Sequence, residues 1–413
     1  MTQEQQEQTD STTFATEDMT ASRKPTTDTD SENPLHNRIF EKTSIDSRIS
    51  GLDLARALAV LGMFAQHFYS AAGRSVDWST PSSWIGVVNN NSTILFALLA
   101  GVSKSLIDGG RYPGSGPRGL QARTNIMARA LALFFISGVL VAFVSTPGSV
   151  LGYIAAGFVV SIPFLRVKPN RLFWWAGIGA VLLPYPIHVL KEVVYAHAET
   201  VPSDSSLDLL VTGLCPALIF LPVFMVGIAL GRCDLRSLSI QLRLVAVGMA
   251  VTVSSYLASW ALATAFGKFE GTAWSTLGAV STPDWRVEYN TTVPHLNGTL
   301  QMTVGIGLAL TVIGLSLLLT SQPLIRHLLY PLRALGMCAF TAYIAQFLAV
   351  VLWIGTDSAD YAPTNQFFLG LSLTLIVATS VWMSVFRRGP LEWILNSWAR
   401  YISRMVTTQH ETQ

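Results

Sequence analysis

Three polar side chains lie in or beside the first long apolar stretch of the chain, 52–71: Asp53, Arg56 and His67. A guanidinium can hold a phosphate group through two parallel hydrogen bonds. A neutral imidazole can take a proton near physiological pH. On an α-helix each residue turns about 100°, so the eleven steps from Arg56 to His67 end roughly 20° from their start. Asp53 lies about 40° from His67 on the same scale, so the three residues share one stripe.

The stripe runs deep into an apolar segment. At about 1.5 Å per residue, Arg56 and His67 are roughly 16 Å apart along the helix axis, which is about half of a hydrocarbon core of roughly 30 Å. Charged and ionisable side chains facing lipid are costly. The stripe is therefore predicted to face the protein interior or a wet cavity.

Composition predicts the class of protein that carries this helix. Of 413 residues, 50% are hydrophobic and 13% are charged, whereas soluble domains contain about 25% charged residues. This indicates an integral membrane protein. The net charge of +2 does not favour a nucleic-acid partner, and no sequence motif for zinc or phosphate binding is present, so we expect no metal. The three cysteines are expected to be small buried side chains.

The distribution of apolar runs predicts an all-α integral membrane protein with about ten transmembrane helices. Polar or Gly/Pro-containing joints separate the runs, which are 52–71, 86–107, 127–145, 149–165, 172–190, 208–230, 241–265, 299–320, 334–355 and 367–386. Basic residues are concentrated in alternate joints and beside both ends of the membrane region. The positive-inside rule then predicts that both termini are cytoplasmic, the His67 end of the first helix facing outward.

Three regions follow from the same patterns. Residues 1–47 are rich in Thr, Gln, Ser, Asp and Glu and are predicted to be a disordered cytoplasmic tail. Residues 48–388 form the membrane domain. Residues 389–413 place large apolar side chains among Arg400 and Arg404, which predicts an amphipathic helix on the inner membrane surface, followed by a short tail.

Further polar residues are candidates for substrate contact. His295 lies in the long joint 267–297 with several aromatic residues; it could act as a second acid or base, or be a solvated loop residue. Asn90 and Asn91 are predicted to lie level with His67 and to contact substrate. Tyr343 and Gln346, inside an apolar run, either line a cavity or form hydrogen bonds between helices.

Several segments resemble the DUF418 or YeiB-like family of ten-helix bacterial membrane proteins. The segments are Arg48-Ile-Ser-Gly-Leu-Asp53-Leu-Ala-Arg56, Leu95-Phe-Ala-Leu-Leu-Ala-Gly101, Pro294-His295 with Gly298-Thr299, Thr341-Ala-Tyr343-Ile-Ala-Gln346 and Gly389-Pro-Leu-Glu-Trp393. This family is grouped with transmembrane acyltransferases, including the acyltransferase-3 proteins and heparan-glucosaminide acetyltransferase. In acyltransferase-3 proteins, an arginine and a histidine separated by ten residues lie on the first helix, and Arg56 and His67 match that spacing.

The resemblance implies a membrane-bound O-acyltransferase in the cell inner (plasma) membrane. It would take an acyl group, acetyl being one option, from acyl-CoA at the cytoplasmic face and deliver it to a hydroxyl of an envelope glycan or glycolipid outside. Arg56 would bind the donor, with Asp53 fixing its guanidinium. His67 would act as the base, or carry the acyl group as a nucleophile.

Other readings of these residues remain open at this stage. Arg56 and Asp53 three residues apart also form a simple ion pair, and His67 can be a helix-packing residue. A proton-coupled transporter would use Asp53 and His67 as a relay, and a non-catalytic membrane scaffold would dock partners through its tail and its last helix. The sequence does not set the oligomeric state.

Overall fold

The computed structural model describes residues 48–69, 81–143, 149–197, 205–213, 215–266, 297–354 and 364–411. Almost all of them belong to one compact unit, Ile49–Gln413. The predicted tail 1–47 lies outside the described residues, as does most of the joint 267–297.

The described residues form α-helices joined by short turns, with 3-10 segments at Pro81–Val88 and Ile162–Arg166 and a π-helical turn at Asp208–Thr212. The α-helices are α1 Ser50–Phe68, α2 Asn91–Ile107, α3 Gly116–Phe143, α4 Leu151–Val160, α5 Pro169–Leu182, α6 Pro184–His197, α7 Ala217–Leu230, α8 Leu238–Phe266, α9 Thr299–Ser321, α10 Pro323–Leu328, α11 Tyr330–Met337, α12 Ala339–Ile354, α13 Asn365–Val385 and α14 Pro390–Glu411. The all-helical membrane fold is confirmed, and every predicted apolar run contains helix.

Within the described residues, five helices are long and apolar enough to cross a membrane, or up to seven if each of two bent pairs is one span. The bent pairs are α5 with α6, at 45°, and α11 with α12, at 81°. The ten-span count and the cytoplasmic termini remain predictions. α1 is not among the five because its polar side chains lower its mean hydropathy, and burial in the bundle compensates for them.

α1 is central to the bundle. It packs against α2, α9, α11, α12 and α13, and its apolar side chains are buried along nearly the whole helix, from Leu52 to Phe68. By contrast α13 buries only Ser372 and Thr379 and exposes a row of apolar side chains, Leu369, Leu373, Val377 and Val381. Such a row suits a lipid-facing helix at the periphery, whereas the polar stripe lies on a largely buried helix.

Small residues allow the helices to approach closely. A Cβ added at Gly227 of α7 would lie 2.2 Å from the carbonyl oxygen of Leu98 in α2. A Cβ at Gly248 of α8 would lie 2.6 Å from the carbonyl oxygen of Gly307 in α9. Contacts between small residues are a common way for helices to associate in membranes, and they bring α2 and α7 into backbone contact beside the stripe.

The last helix, α14, packs on α3 and holds the break between α11 and α12. The Glu392 carboxylate accepts hydrogen bonds from the backbone N–H groups of Phe340 (2.8 Å) and Thr341 (3.0 Å) and from Oγ1 of Thr341 (2.5 Å). These contacts satisfy N–H groups at the start of α12. On its other side α14 exposes Trp393 and Tyr401. Its placement on a membrane surface stays a prediction.

Candidate functional site

The first turns of α1 hold a buried ion pair, which we call the Arg56 end of the stripe. Nη1 of Arg56 donates to Oδ1 of Asp53 at 2.8 Å, and Nη2 donates to Oγ of Ser103 in α2 at 3.0 Å. Asp53 is 4% exposed and the Arg56 side chain 25%. The ion pair predicted from the spacing is confirmed. The Arg56 side chain is therefore partly accessible.

A second arginine completes this end, and no pattern in the sequence indicated it. Nη2 of Arg333, in α11, donates to Oγ of Ser50 at 3.0 Å, and its charge is close enough to that of Asp53 to attract it. Backbone packing enforces the approach, because a Cβ on Gly336 would fall 1.7 Å from the Asp53 carbonyl oxygen. Asp53 therefore balances two arginines from different helices.

The last turn of α1, the His67 end of the stripe, adjoins an amide cluster formed by Gln66, Asn90, Asn297 and Gln301. Oε1 of Gln66 accepts from the backbone N–H of Asn90 at 3.1 Å. Nδ2 of Asn90 donates to Oδ1 of Asn297 at 3.1 Å and to Oε1 of Gln301 at 3.0 Å. Asn90, Asn297 and Gln301 are all at most 3% exposed. The cluster joins α1, α2 and α9.

Two members of the amide cluster adopt an uncommon backbone conformation. Asn90 has a φ of 57° and Asn297 a φ of 55°, a region in which asparagine is enriched among residues other than glycine. Each precedes a helix: Asn90 is the residue before α2, and Asn297 lies two residues before α9. The turn conformation aims both carboxamides inward, where they meet.

Some polar atoms near this cluster make no protein hydrogen bond among the described residues. They are Oδ1 of Asn90, Oδ1 of Asn91 and Nε2 of Gln301, all buried. Asn91 uses its other amide atom to donate to the Val87 carbonyl at 2.8 Å. Buried polar groups normally have partners. This combination of two acceptors and one donor suits a hydroxyl-bearing or amide-bearing ligand.

His67 lies in the last turn of α1, next in sequence to Gln66, and is partly buried. Its ring makes an edge-to-face contact with Phe68, with centroids 5.9 Å apart. The structure therefore brings Asn90 and Asn91 to the same end of α1 as His67, as the sequence predicted. His295 lies outside the described residues.

The structure does not join Tyr343 and Gln346 to this site through any described contact. The Tyr343 hydroxyl accepts from the Val150 N–H at 2.8 Å, and its ring packs between Phe96 and Phe347, with centroids 6.2 Å and 5.3 Å away. Tyr343 thus links α12 to the start of α4, the helix-to-helix bond that was one of its two predicted roles. Gln346 is fully buried, and neither amide atom has a hydrogen-bond partner among the described residues.

Metal chemistry has no visible site in the part of the chain that the structure describes, which contains no group of three or more His, Cys, Asp or Glu able to hold an ion. The cysteines found there are free; Cys215 and Cys338 are buried and Cys233 is partly buried.

Two families of known proteins match the chain. A family described as "Heparan-alpha-glucosaminide N-acetyltransferase, catalytic" matches residues 48–264, which include α1, Asn90, Asn91 and the Arg56–Ser103 contact. A family described as "Protein of unknown function (DUF418)" matches residues 242–401, which include Asn297, Gln301 and Glu392. The two matched regions overlap within α8. The amide cluster therefore contains residues from both matched regions.

A curated protein of Bacillus acidopullulyticus, "Uncharacterized 39.9 kDa protein in amylase 3'region", is 31% identical over 86 residues. The match covers 20% of this chain and 25% of that protein, so the chain spans a quarter of the curated relative that it matches.

The resemblance found in the sequence is confirmed over more than half of the chain, and it points to a transmembrane acetyltransferase. Because the match over residues 48–264 covers more than half of the chain and includes the stripe of α1 and its partners in α2, the chain belongs to the heparan-alpha-glucosaminide N-acetyltransferase catalytic family. It also bears a DUF418 region in its second half.

Proposed function

We propose that this protein moves an acyl group, acetyl in the simplest case, from acyl-CoA at the cytoplasmic face of the inner (plasma) membrane to a hydroxyl of an envelope glycan or glycolipid at the outer face. The observation that carries the proposal is the placement of two polar sites on one enclosed helix. The Arg56 end and the amide cluster at the His67 end lie roughly 16 Å apart along α1, and both are contacted by α2.

The donor is assigned to the Arg56 end. Arg56 already uses one N–H group on Asp53 and one on Ser103, and its remaining N–H groups can meet a phosphate oxygen of the donor. Asp53 acts as a positioning residue, because its carboxylate holds the guanidinium in one orientation. Arg333 on the opposite side keeps this carboxylate balanced.

The transfer is assigned to the His67 end. As the acceptor oxygen attacks the thioester carbonyl carbon, an imidazole nitrogen of His67 takes the hydroxyl proton. The C–S bond then breaks and coenzyme A leaves as a thiol, with the proton returned to sulfur. In a two-step variant, the imidazole nitrogen itself attacks the thioester carbonyl, the C–S bond breaks and coenzyme A leaves as a thiol with the ring proton; the acceptor hydroxyl then attacks the acyl-imidazole, the acyl–nitrogen bond breaks and the hydroxyl proton returns to the ring. Asn90, Asn91 and Gln301 would orient the acceptor through their unused amide atoms.

An experiment can distinguish a hydroxyl oxygen from an amino nitrogen as the atom that accepts the acyl group. The matched family carries the name of an N-acetyltransferase, in which an amino group of a glucosaminide receives the acyl group. Purified protein in liposomes, supplied with labelled acetyl-CoA and a panel of neutral sugars, amino sugars and glycolipids, would identify the product by mass. An ester product would agree with the proposal. An amide product would change the acceptor from a hydroxyl to an amino group and leave the acyl-transfer activity in place.

The catalytic assignment is tested by His67→Gln, which removes the base but keeps a polar side chain. We expect transfer to fall at least about a hundredfold, the usual contribution of a general base, with insertion and thermal stability retained. His327→Gln is the matched control, because His327 is an exposed helix histidine and its loss should leave transfer unchanged. Full activity in His67→Gln would remove the catalytic role.

The same liposomes separate the enzyme from a transporter. Acyl transfer or thioester hydrolysis without solute uptake supports the proposal. Uptake of a solute that depends on Asp53 and His67, with no acyl chemistry, would replace it with the proton-relay reading.

A further inference from the structure

A second group of charges lies beside the end of α2 that contacts Arg56. We call it the Arg232 cluster: Lys104, Asp108, Arg123, Arg166 and Arg232. Ser103, which bonds to Arg56, is directly followed by Lys104 in α2. Lys104 is fully buried, and its Nζ donates to the Phe158 carbonyl (2.5 Å) and to Oγ of Ser161 (2.7 Å). The two sites therefore contact consecutive residues near the end of one helix.

The cluster has an excess of positive charge. Asp108, the residue after α2, is 5% exposed, and Arg232, Arg123, Arg166 and Lys104 all act on its carboxyl. Among the described residues, however, none of these cations forms an ion pair with Asp108 within 4.0 Å. A single carboxylate held at a distance does not neutralise three arginines, so the site is built to attract an anion.

Arg232 supplies a second and independent observation. It is 7% exposed, and Nη1 donates to the Val167 carbonyl. Its Nε and Nη2 are buried and have no hydrogen-bond partner among the described residues. Leaving charged donors buried and unpaired is costly. Nε and Nη2 lie on one edge of a guanidinium, and that edge matches two oxygens of a phosphate.

The surrounding backbone leaves little space for side chains. Gly109 and Gly110, which follow Asp108, have positive φ values of 106° and 60°. A Cβ on Gly231, the neighbour of Arg232, would lie 2.6 Å from Cβ of Ser105 in α2. The end of α7, which precedes Arg232, is thus packed closely against the end of α2.

We propose that the Arg232 cluster binds a phosphate group of the acyl-CoA donor. This inference rests on the proposed function. Coenzyme A carries a pyrophosphate and a separate ribose phosphate, so one donor can engage phosphate-binding groups at two adjacent places. Arg56 meets one phosphate beside the path to His67, and the Arg232 cluster meets another at the predicted cytoplasmic surface.

Binding of coenzyme A to full-length protein in nanodiscs, measured by calorimetry, tests the assignment without requiring turnover. We expect Arg232→Gln to weaken binding about tenfold or more, as loss of a charge-assisted double hydrogen bond would. Arg236→Gln is the matched control: it removes the same charge from the same loop, at an exposed position, and should change affinity less than twofold.

If Arg232→Gln lowers thermal stability, Arg166→Gln provides a second test, since Arg166 is exposed and its removal should still weaken binding severalfold. Nanodiscs with and without phosphatidylglycerol distinguish a nucleotide phosphate from a lipid headgroup. Arg232-dependent binding of coenzyme A in neutral lipid supports the proposal. Stabilisation by phosphatidylglycerol that depends on Arg232, with coenzyme A binding unaffected by Arg232→Gln, would overturn it.

The inference and the proposed function fail separately. Arg232-dependent binding of coenzyme A by a protein that transfers no acyl group would support the phosphate site and reject the acyltransferase. Normal binding and transfer by both Arg232→Gln and Arg166→Gln would reject the phosphate site and leave the acyltransferase in place.

Discussion

The side-chain amide of Asn90 donates to Oδ1 of Asn297 at 3.1 Å, although 207 residues separate the two in sequence. The bond ties the start of α2 to the segment before α9, next to the last turn of α1. It also spans both family matches, since Asn90 lies in one and Asn297 in the other. The His67 end is thus assembled from both halves of the chain.

Asn90 provides the first prediction. Asn90→Ala removes two buried amide bonds and places alanine at a positive φ, whereas Asn90→Gly removes the same bonds but tolerates that φ. Lost buried bonds cost about 1–3 kcal/mol, and the left-handed conformation adds about 1 kcal/mol for alanine. Both variants should unfold at a lower temperature in detergent, with alanine the worse. Equal unfolding midpoints for the alanine and glycine variants would show that the positive φ at position 90 has no free-energy cost for alanine.

The Asp53–Arg56 pair provides the second. Arg56→Gln leaves the buried Asp53 carboxylate with one fewer partner, and Asp53→Asn in addition should recover part of the lost stability, because an unpaired buried charge is the main cost. Thermal unfolding of the single and double variants gives the coupling. The exposed pair Arg111–Asp234 is the control; its atoms are 3.4 Å apart and its side chains are 59% and 50% exposed. The coupling free energy of this pair should be about 0–1 kcal/mol. If the double variant recovered no stability, an unpaired Asp53 charge would not be the main cost of Arg56→Gln.

Glu392 provides the third. Glu392→Ala removes the acceptor for two backbone N–H groups of α12 and for the Thr341 hydroxyl, which should cost about 1–2 kcal/mol, as loss of a helix cap does. Thr341→Val removes only the hydroxyl contacts and should cost less. Limited proteolysis should release α14 from Glu392→Ala first. Unchanged cleavage would mean that packing on α3 alone holds α14.

Asp108 provides the fourth. Burial raises the pKa of its carboxyl, and Arg232, Arg123, Arg166 and Lys104 oppose that rise. If the Arg232 cluster binds phosphate, Asp108→Asn removes a repulsive charge and should tighten coenzyme A binding severalfold at neutral pH. As the pH falls and Asp108 takes up a proton, wild-type affinity should approach that of Asp108→Asn, because the repulsion disappears in both. Weaker binding by Asp108→Asn would instead make Asp108 an organiser of the arginines.

Short-range relationships could be predicted from the sequence. Helical geometry alone placed Asp53, Arg56 and His67 on one stripe, and a separation of three residues was enough to predict the ion pair. Apolar runs located the helices because each must cover its backbone polar groups in an apolar environment. The bends at Leu183 and at Cys338 were not predicted, since both lie inside apolar runs that hydropathy reads as continuous.

Contacts between distant helices could not be predicted. Gln301, Arg333 and Lys104 each lie in a helix that reads as an ordinary apolar segment or its flank, and their partners come from other parts of the chain. Periodicity tells which residues share a face of one helix, but it does not tell which helix that face meets. Arg232 is one of the basic residues concentrated in the joints between apolar runs, and only its burial identifies it as unusual.

The Glu392 contacts also have a consequence for biosynthesis. The ribosome makes Glu392 52 residues after Phe340, so the N–H groups at the start of α12 are satisfied only after the chain has been made as far as α14. An interior joint of the bundle is therefore completed by a segment made two helices later. A nascent chain interrupted before residue 392 would leave that joint open, and cellular quality control would encounter an unfinished bundle even though every long apolar helix had been made.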